Sequence, residues 1–262
     1  MFIYEGKTVL ITGASSGIGE AFARELAQRK MNIILVARSE QKLQNMAANL
    51  MTKFRINADI IIADLTQEGS AQRIYNEIKR RHLSIDLLIN NAGFGTYGPF
   101  EAIPAERKHA EVMLNVVSLV DMTHTFLPEL LERRGGIINL ASIASFTPMP
   151  YMSVYAATKA FILSFSEALW GEYHHRGLRI LALCPSATET SFFDDLNQSA
   201  STKEPAIFSQ KRRPEQVVAT ALRALEQGKC YTVDGGSNYI VTQLYRFFPR
   251  SMTIRGISKM MR

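Results

Sequence analysis

The sequence is poor in cysteine and histidine and, toward its C-terminus, in acid. Its 262 residues include two cysteines, Cys184 and Cys230, without the spacing of a redox pair or a metal knuckle. A disulfide scaffold is excluded, and two reduced thiols fit a cytoplasmic chain. The five histidines (His82, His109, His124, His174 and His175) show no metal-ligand pattern, so no metal is expected. No apolar stretch reaches the roughly 18 residues that a membrane-crossing helix needs. Met1 to Gly6 carries no basic leader before strand-like residues begin at Thr8, so the expectation is a cytoplasmic protein without a targeting signal. Acidic residues stop at Asp234, whereas Arg246, Arg250, Arg255, Lys259 and Arg262 follow it. The formal charge of +6 is therefore uneven, and no general nucleic-acid surface is expected.

What is present is globular: 47% of residues are hydrophobic and 21% charged. Short apolar runs read as strands at Thr8–Thr12, Asn32–Ala37, Ala58–Ala63, Leu87–Asn90, Gly136–Ala141, Leu178–Cys184 and Tyr231–Val233. Their apolar character is continuous rather than alternating, which fits strands buried on both faces. Helical stretches separate them at Gly17–Arg29, Ser39–Phe54, Gln67–Arg81, Ala105–Leu131, Val154–Arg176 and Pro214–Gln227. Strand–helix–strand alternation implies a parallel, doubly wound α/β sheet with right-handed crossovers and helices on both faces. No repeat or linker divides the chain. The expectation is one domain over 1–234 and a basic, amphipathic extension over 235–262. Pro185–Arg213 is the least regular stretch and reads as a mobile loop.

Between the first strand and the first helix lies Thr12-Gly13-Ala14-Ser15-Ser16-Gly17-Ile18-Gly19. Gly13 permits a tight turn, Gly17 a close backbone approach to a pyrophosphate, and Gly19 close helix–sheet packing. The free N–H groups of the helix start then meet the anion. The second strand ends Val36-Ala37-Arg38-Ser39. No carboxylate stands there to bind a ribose 2′-hydroxyl, and Arg38 can pair with a 2′-phosphate. The expected cofactor is NADP(H).

These residues resemble the short-chain dehydrogenases/reductases, and the resemblance runs to about Val233. It implies a Rossmann-type fold and an oxidoreductase that moves a hydride between nicotinamide and a carbonyl or alcohol. Asp64-Leu65 looks like the family's adenine contact, and Asn90-Asn91-Ala92-Gly93 like its motif after the fourth strand. Asn115, Ser142, Tyr155 and Lys159 match the catalytic tetrad. The resemblance implies that Tyr155 is the acid/base and that Lys159 tunes it and holds the ribose. It implies further that Ser142 binds the substrate oxygen and that Asn115 positions a relay water. Pro185-Ser186-Ala187-Thr188-Glu189-Thr190 departs from the family's Pro-Gly-x-x-x-Thr by placing Ser186 at the glycine position. Pro185, Thr188 and Thr190 are still expected beside the nicotinamide. The tail resembles that of the DltE-type subgroup.

Tyr155 and Lys159 are four apart on one helix face, so an ammonium beside the phenol is expected to lower its pKa from about 10. Phe94, Phe146, Met149, Tyr151, Met152, Phe192 and Phe193 follow the fourth, fifth and sixth strands, whose carboxyl ends face the ligand crevice. They are the expected pocket for a hydrophobic carbonyl substrate, such as a 3-oxoacyl chain, a ketosteroid-like ketone or a xenobiotic ketone. In the tail, Val241, Leu244, Tyr245 and Phe248 follow helical spacing, as do Ile254, Ile257 and Met261. Packing on the domain is favoured for this extension, with a membrane surface as the alternative. A homo-dimer or homo-tetramer through the helices carrying Asn115 and Tyr155 is implied by the resemblance. A non-catalytic NADP sensor is the rival reading; the complete tetrad argues against it.

Overall fold

In the computed structural model, residues 2–192, 211–244 and 247–261 are described. Seven strands form one parallel sheet in the order β3-β2-β1-β4-β5-β6-β7. They are β1 (Thr8–Thr12), β2 (Asn32–Ala37), β3 (Ala58–Ile62), β4 (Leu87–Asn90), β5 (Gly136–Leu140), β6 (Arg179–Cys184) and β7 (Tyr231–Val233). The helices are α1 (Gly17–Gln28), α2 (Glu40–Phe54), α3 (Ser70–Arg80), α4 (Ala105–Val112), α5 (Ser118–Glu132), α6 (Ser153–Tyr173), α7 (Pro214–Glu226), α8 (Gly236–Leu244) and α9 (Arg250–Met260).

The continuous apolar strands are explained by two cores. Val9, Ile11, Ile33 and Leu35 point to one face and pack with Phe22 and Leu26 of α1, Leu43 of α2 and Leu222 of α7. Leu10, Ile34, Val36 and Leu88 point to the other and meet Ile74 and Ile78 of α3 and Phe126 and Leu130 of α5. Each such side chain contributes about 1.5–3 kcal/mol on burial. A strand covered on both faces offers a polar side chain no water, hence the runs; the buried Asn90 and Asn139 are bonded to each other and to Thr123 and Ser166.

The sheet order reverses direction between β1 and β4, and the crevice at such a point is where these sheets take ligands. One helix departs from expectation. The stretch read as a single helix over Ala105–Leu131 is interrupted by a π turn at Met113–Val117 that contains Asn115. The amide of Asn115 donates to Phe94 O (2.9 Å) and Thr158 Oγ1 (3.1 Å), and its oxygen accepts from Phe94 N (3.1 Å). The widened turn accompanies this set of bonds, as π turns commonly do at functional positions.

The tail forms two helices, one on each side of Pro249. Pro249 caps α9 after a break, because proline cannot continue α8. Tyr245, Arg246 and Arg262 lie outside the described residues, as do Phe193 and most of the stretch read as a loop. Ile257 and Met261 are buried against Tyr97, Met149 and Met152, so one side of the extension does pack on the domain.

Candidate active site

The cofactor end of the crevice is built by interlocking β1 with β4. The Thr12 hydroxyl donates to Ile89 O (3.3 Å) and accepts from the backbone N–H of Asn91 (3.0 Å) and Ala92 (3.1 Å). The Asn91 amide returns to Thr12 O (2.9 Å) and Gly13 O (3.1 Å). This clamp brings the backbones so close that side chains are excluded. A Cβ on Gly13, which sits at φ +62°, would lie 2.8 Å from Ala92 Cα; one on Gly19 would lie 2.4 Å from Gly13 O. Gly19 therefore packs behind the loop, while Gly13, Ser15, Ser16, Gly17 and Ile18 face the cleft at the start of α1. N–H groups at a helix start are an anion site.

The cleft has a volume of about 1360 Å³. That exceeds the roughly 300–1,000 Å³ of ordinary ligand pockets and leaves room for a dinucleotide and a second molecule. Arg38, Asp64, Leu65, Asn91, Ala92, Gly93, Pro185, Thr188 and Thr190 all line it, as do Ser142, Tyr155 and Lys159. Lys42 stands on the same rim as Arg38 and Ser39. Of the residues at the end of β2 and the start of α2 that line the cleft, two are cations and none is a carboxylate, a set that can pair with a phosphate. Asp64 is engaged from inside the loop: the Thr66 N–H (3.0 Å) and hydroxyl (2.8 Å) donate to its Oδ1 and hold its carboxyl below the usual range, with Arg38 adding to the effect.

The catalytic end is held as firmly. Ser142 caps the turn Ile143–Phe146, accepting from Ala144 N (3.1 Å), while Ser145 Oγ accepts from Ser142 N (3.3 Å) and donates to Lys159 O (2.8 Å). The Ser142 hydroxyl lies near enough to the Tyr155 phenol to favour its ionised form. Lys159 Nζ donates to Leu140 O (2.7 Å) and lies 5.6 Å from the Tyr155 ring centre. A Cβ on Gly93 would come within 2.9 Å of Asn115 Oδ1 and 3.5 Å of Lys159 Nζ, so this glycine lets the tetrad close up. Asn115 is buried behind it and does not line the cleft.

The electrostatics correct one expectation. The Tyr155 phenol is pushed up to about 12, not down. Burial dominates, the Ser142 hydrogen bond opposes it, and the Glu111 carboxyl adds to it. Burial also brings Lys159 down to about 8, with Glu111 and Cys184 opposing. Helical spacing places the two groups together but says nothing of desolvation, which penalises both charged forms.

The apolar end is partly as expected. Phe94, Met149, Met152 and Phe192 line the cleft. The Phe192 ring packs 5.4 Å from that of Tyr155, and Arg107 stacks over Phe94 at 4.4 Å. Phe146 does not line it: its ring turns away to pack 6.0 Å from Tyr231 of β7. Nor does Tyr151, at φ +67°, whose ring packs beside Tyr97. Phe193 falls outside the described residues.

The short chain dehydrogenase family profile matches residues 7–201. This chain belongs to the short chain dehydrogenase family. The dehydrogenase is 32% identical over 227 residues to the very-long-chain 3-oxoacyl-CoA reductase of Bos taurus, covering 84% of this chain and 69% of that protein. The counterpart from Anas platyrhynchos is 35% identical over 187 residues, 69% of this chain but 59% of that one. Among solved structures, a short-chain dehydrogenase from Sphingobium yanoikuyae in complex with NADPH superposes with a TM-score of 0.79 at 30% identity, covering 92% of this chain and 94% of that one. The bulky-bulky ketone specific alcohol dehydrogenase from Comamonas testosteroni gives 0.76 at 29% identity, covering 92% of each chain.

Sequence reasoning missed several residues of this dehydrogenase's site. Lys42 lies in the first turn of α2, just past Arg38, and a second cation at that helix start was the available signal. Gly95 is needed because a Cβ there would lie 2.9 Å from Tyr155 Cδ2 and 3.0 Å from Phe192 Cζ. Ser186 does not stand at positive φ, so no glycine is required, and its buried, unpartnered hydroxyl is on the cleft wall. Glu111 carried no signal, since a charged residue in α4 reads as solvent-facing.

Proposed function

We propose that this dehydrogenase reduces bulky, apolar ketones with NADPH, with Tyr155 as the proton donor. One observation carries the reading. Tyr155, with Ser142 and Lys159, lines the same cleft as the glycine cradle and as the apolar side chains of Met149, Met152 and Phe192, whose last ring packs 5.4 Å from its own.

NADPH, when bound, supplies the hydride. The start of α1 would hold its pyrophosphate, Arg38 and Lys42 its 2′-phosphate, Asp64 and Leu65 its adenine side. Lys159 would hold its nicotinamide ribose, and the Pro185–Thr190 segment would flank the nicotinamide. Ser142 donates a hydrogen bond to the substrate carbonyl and orients it. Tyr155 then gives its proton to the oxygen as charge builds there. A phenol held near 12 stays protonated at neutral pH and is ready as an acid, which favours reduction. Asn115 holds the Phe94 backbone and Thr158 on α6, and so fixes the loop over Lys159. The names of the bovine and Comamonas relatives support an apolar ketone, a 3-oxoacyl chain included.

Two lesser proposals accompany it. The exposed apolar side chains of Val112 and Phe161, with the groove of Val112, Val116, Val154 and Ala157, support self-association through α4 and α6. Two free thiols support a reducing, cytoplasm-facing compartment.

The first test is a fluorescence titration of NADPH and NADH against the wild type and Arg38→Asp. Tighter NADPH binding that Arg38→Asp abolishes is expected. Equal affinity for both nucleotides in the wild type refutes the cofactor assignment. A ketone screen follows, and higher activity on small charged ketones than on bulky apolar ones refutes the substrate class.

A further inference from the structure

The last part of the chain carries an unusual surface. Of the fourteen large hydrophobic side chains that are exposed among the described residues, eight fall between 239 and 260. They are Tyr239, Ile240, Val241 and Leu244 on α8, Phe247 and Phe248 in the break, and Met252 and Met260 on α9. Phe247 is 80% exposed. The other six are scattered over the rest of the fold, as is ordinary for a soluble surface. A concentration of this kind marks a contact.

The charges beside the patch identify what it contacts. Arg250, Arg255 and Lys259 are exposed on α9. No Asp or Glu follows Asp234 in the sequence, and none of the three forms an ion pair with a described residue. A second copy of the chain is a poor occupant: a two-fold contact through the patch would set these cations against themselves with no acid between them. An apolar face bordered by cations is instead complementary to a lipid headgroup layer. We infer that α8, the Phe247–Phe248 break and α9 dock this dehydrogenase on an anionic phospholipid surface. The apolar side chains enter the headgroup boundary and the cations face lipid phosphates. The contact is peripheral, since no described helix is long and apolar enough to cross a membrane.

The inner side of α9 gives the surface a purpose. Ile257 and Met261 are buried against Tyr97, Met149, Met152 and Phe192, and the Tyr97 hydroxyl donates to the Met261 carbonyl. The helix that meets lipid thus backs directly on the apolar wall of the cleft. Docking would thereby hold the apolar end of the cleft close to the lipid layer in which an apolar ketone dissolves. This coupling to substrate rests on the proposed function; the docking itself does not.

The test is flotation of the full chain with vesicles of phosphatidylcholine alone and of phosphatidylcholine with phosphatidylserine. Two surface variants accompany it: Phe247→Ser/Phe248→Ser and Arg250→Gln/Arg255→Gln/Lys259→Gln. NADPH affinity serves as the control for folding, and none of these residues lines the cleft. Wild type is expected to float with the anionic vesicles. A juxtamembrane cation is worth roughly a fivefold gain in partitioning, so three give on the order of a hundredfold, which the charge variant loses. The aromatic variant loses binding to both vesicle types. Wild type that stays in the aqueous phase with anionic vesicles overturns the inference. So does equal binding to both vesicle types, or a solution dimer that the aromatic variant dissociates, which would make the face a subunit contact. Because flotation needs no substrate, failure here and failure of the ketone screen are separable.

Discussion

Glu111 offers the sharpest quantitative test of the site. It is fully buried on α4; Thr96 donates its hydroxyl to one carboxyl oxygen (2.8 Å), while the other has no protein partner. Burial is the largest influence and lifts the carboxyl from 4.5 to about 7; bonds from Thr96 and the charges of Lys159 and Arg107 oppose it. The folded state therefore binds its proton more tightly than the unfolded chain does. The stability that this proton contributes is complete below about pH 4.5 and is lost as pH rises through about 7. A difference of about 2.5 units corresponds to roughly 3 kcal/mol. Glu111→Gln removes the titration. The amide leaves its own NH2 without a partner at a constant cost of about 1–3 kcal/mol, but a constant cancels in the slope. Urea unfolding of both proteins from pH 4.5 to 8.5 measures it. The variant should gain roughly 3 kcal/mol relative to wild type across that range. Parallel stability curves for the two proteins would refute the argument, because they would show that Glu111 gains no proton affinity on folding.

Three further outcomes follow from the geometry. Tyr155→Phe should bind NADPH as wild type does yet lose about 10²–10⁴-fold in kcat, the usual contribution of a positioned acid; a loss confined to KM would contradict the role. Lys42→Ala should weaken NADPH binding while leaving NADH binding alone, by less than Arg38→Asp does, because an ammonium lacks the fork of a guanidinium; an equal loss for both nucleotides would remove Lys42 from the phosphate. Gly19→Ala, whose Cβ would sit 2.4 Å from Gly13 O, should cost about 1–3 kcal/mol in thermal unfolding and also weaken both nucleotides, whereas an unchanged Tm would refute a close-packed α1–loop contact.

Much of this was readable from residue order because each signal is local. Continuous apolar runs become two-faced strands wherever helices cover both sides, as Val9, Leu10 and Ile11 show by dividing between the two cores. The glycine at 13 announces a turn that only glycine tolerates, and its neighbour at 19 a close approach of helix to loop. The tetrad and the cofactor residues lie at sheet ends that topology gathers into one crevice, so strand order was enough to bring Arg38, Asp64 and Ser142 to the same cleft.

What was not readable depends on direction and on burial, neither of which spacing contains. Phe146 and Tyr151 follow β5 as Met149 and Met152 do, yet Phe146 packs against β7 and Tyr151 against Tyr97, away from the cleft. A loop residue's side can be told from sequence only when a period fixes it, and the turn Ile143–Phe146 with the left-handed Tyr151 breaks any period. The sign of the Tyr155 shift failed for a related reason. Four-residue spacing gives proximity, and proximity alone argues for attraction between phenolate and ammonium. Surrounding protein withdraws both groups from solvent, however, and that desolvation penalises both charges before they can attract one another. Glu111 is a third participant, weaker than burial at both groups: it favours the ammonium of Lys159 and disfavours the phenolate of Tyr155.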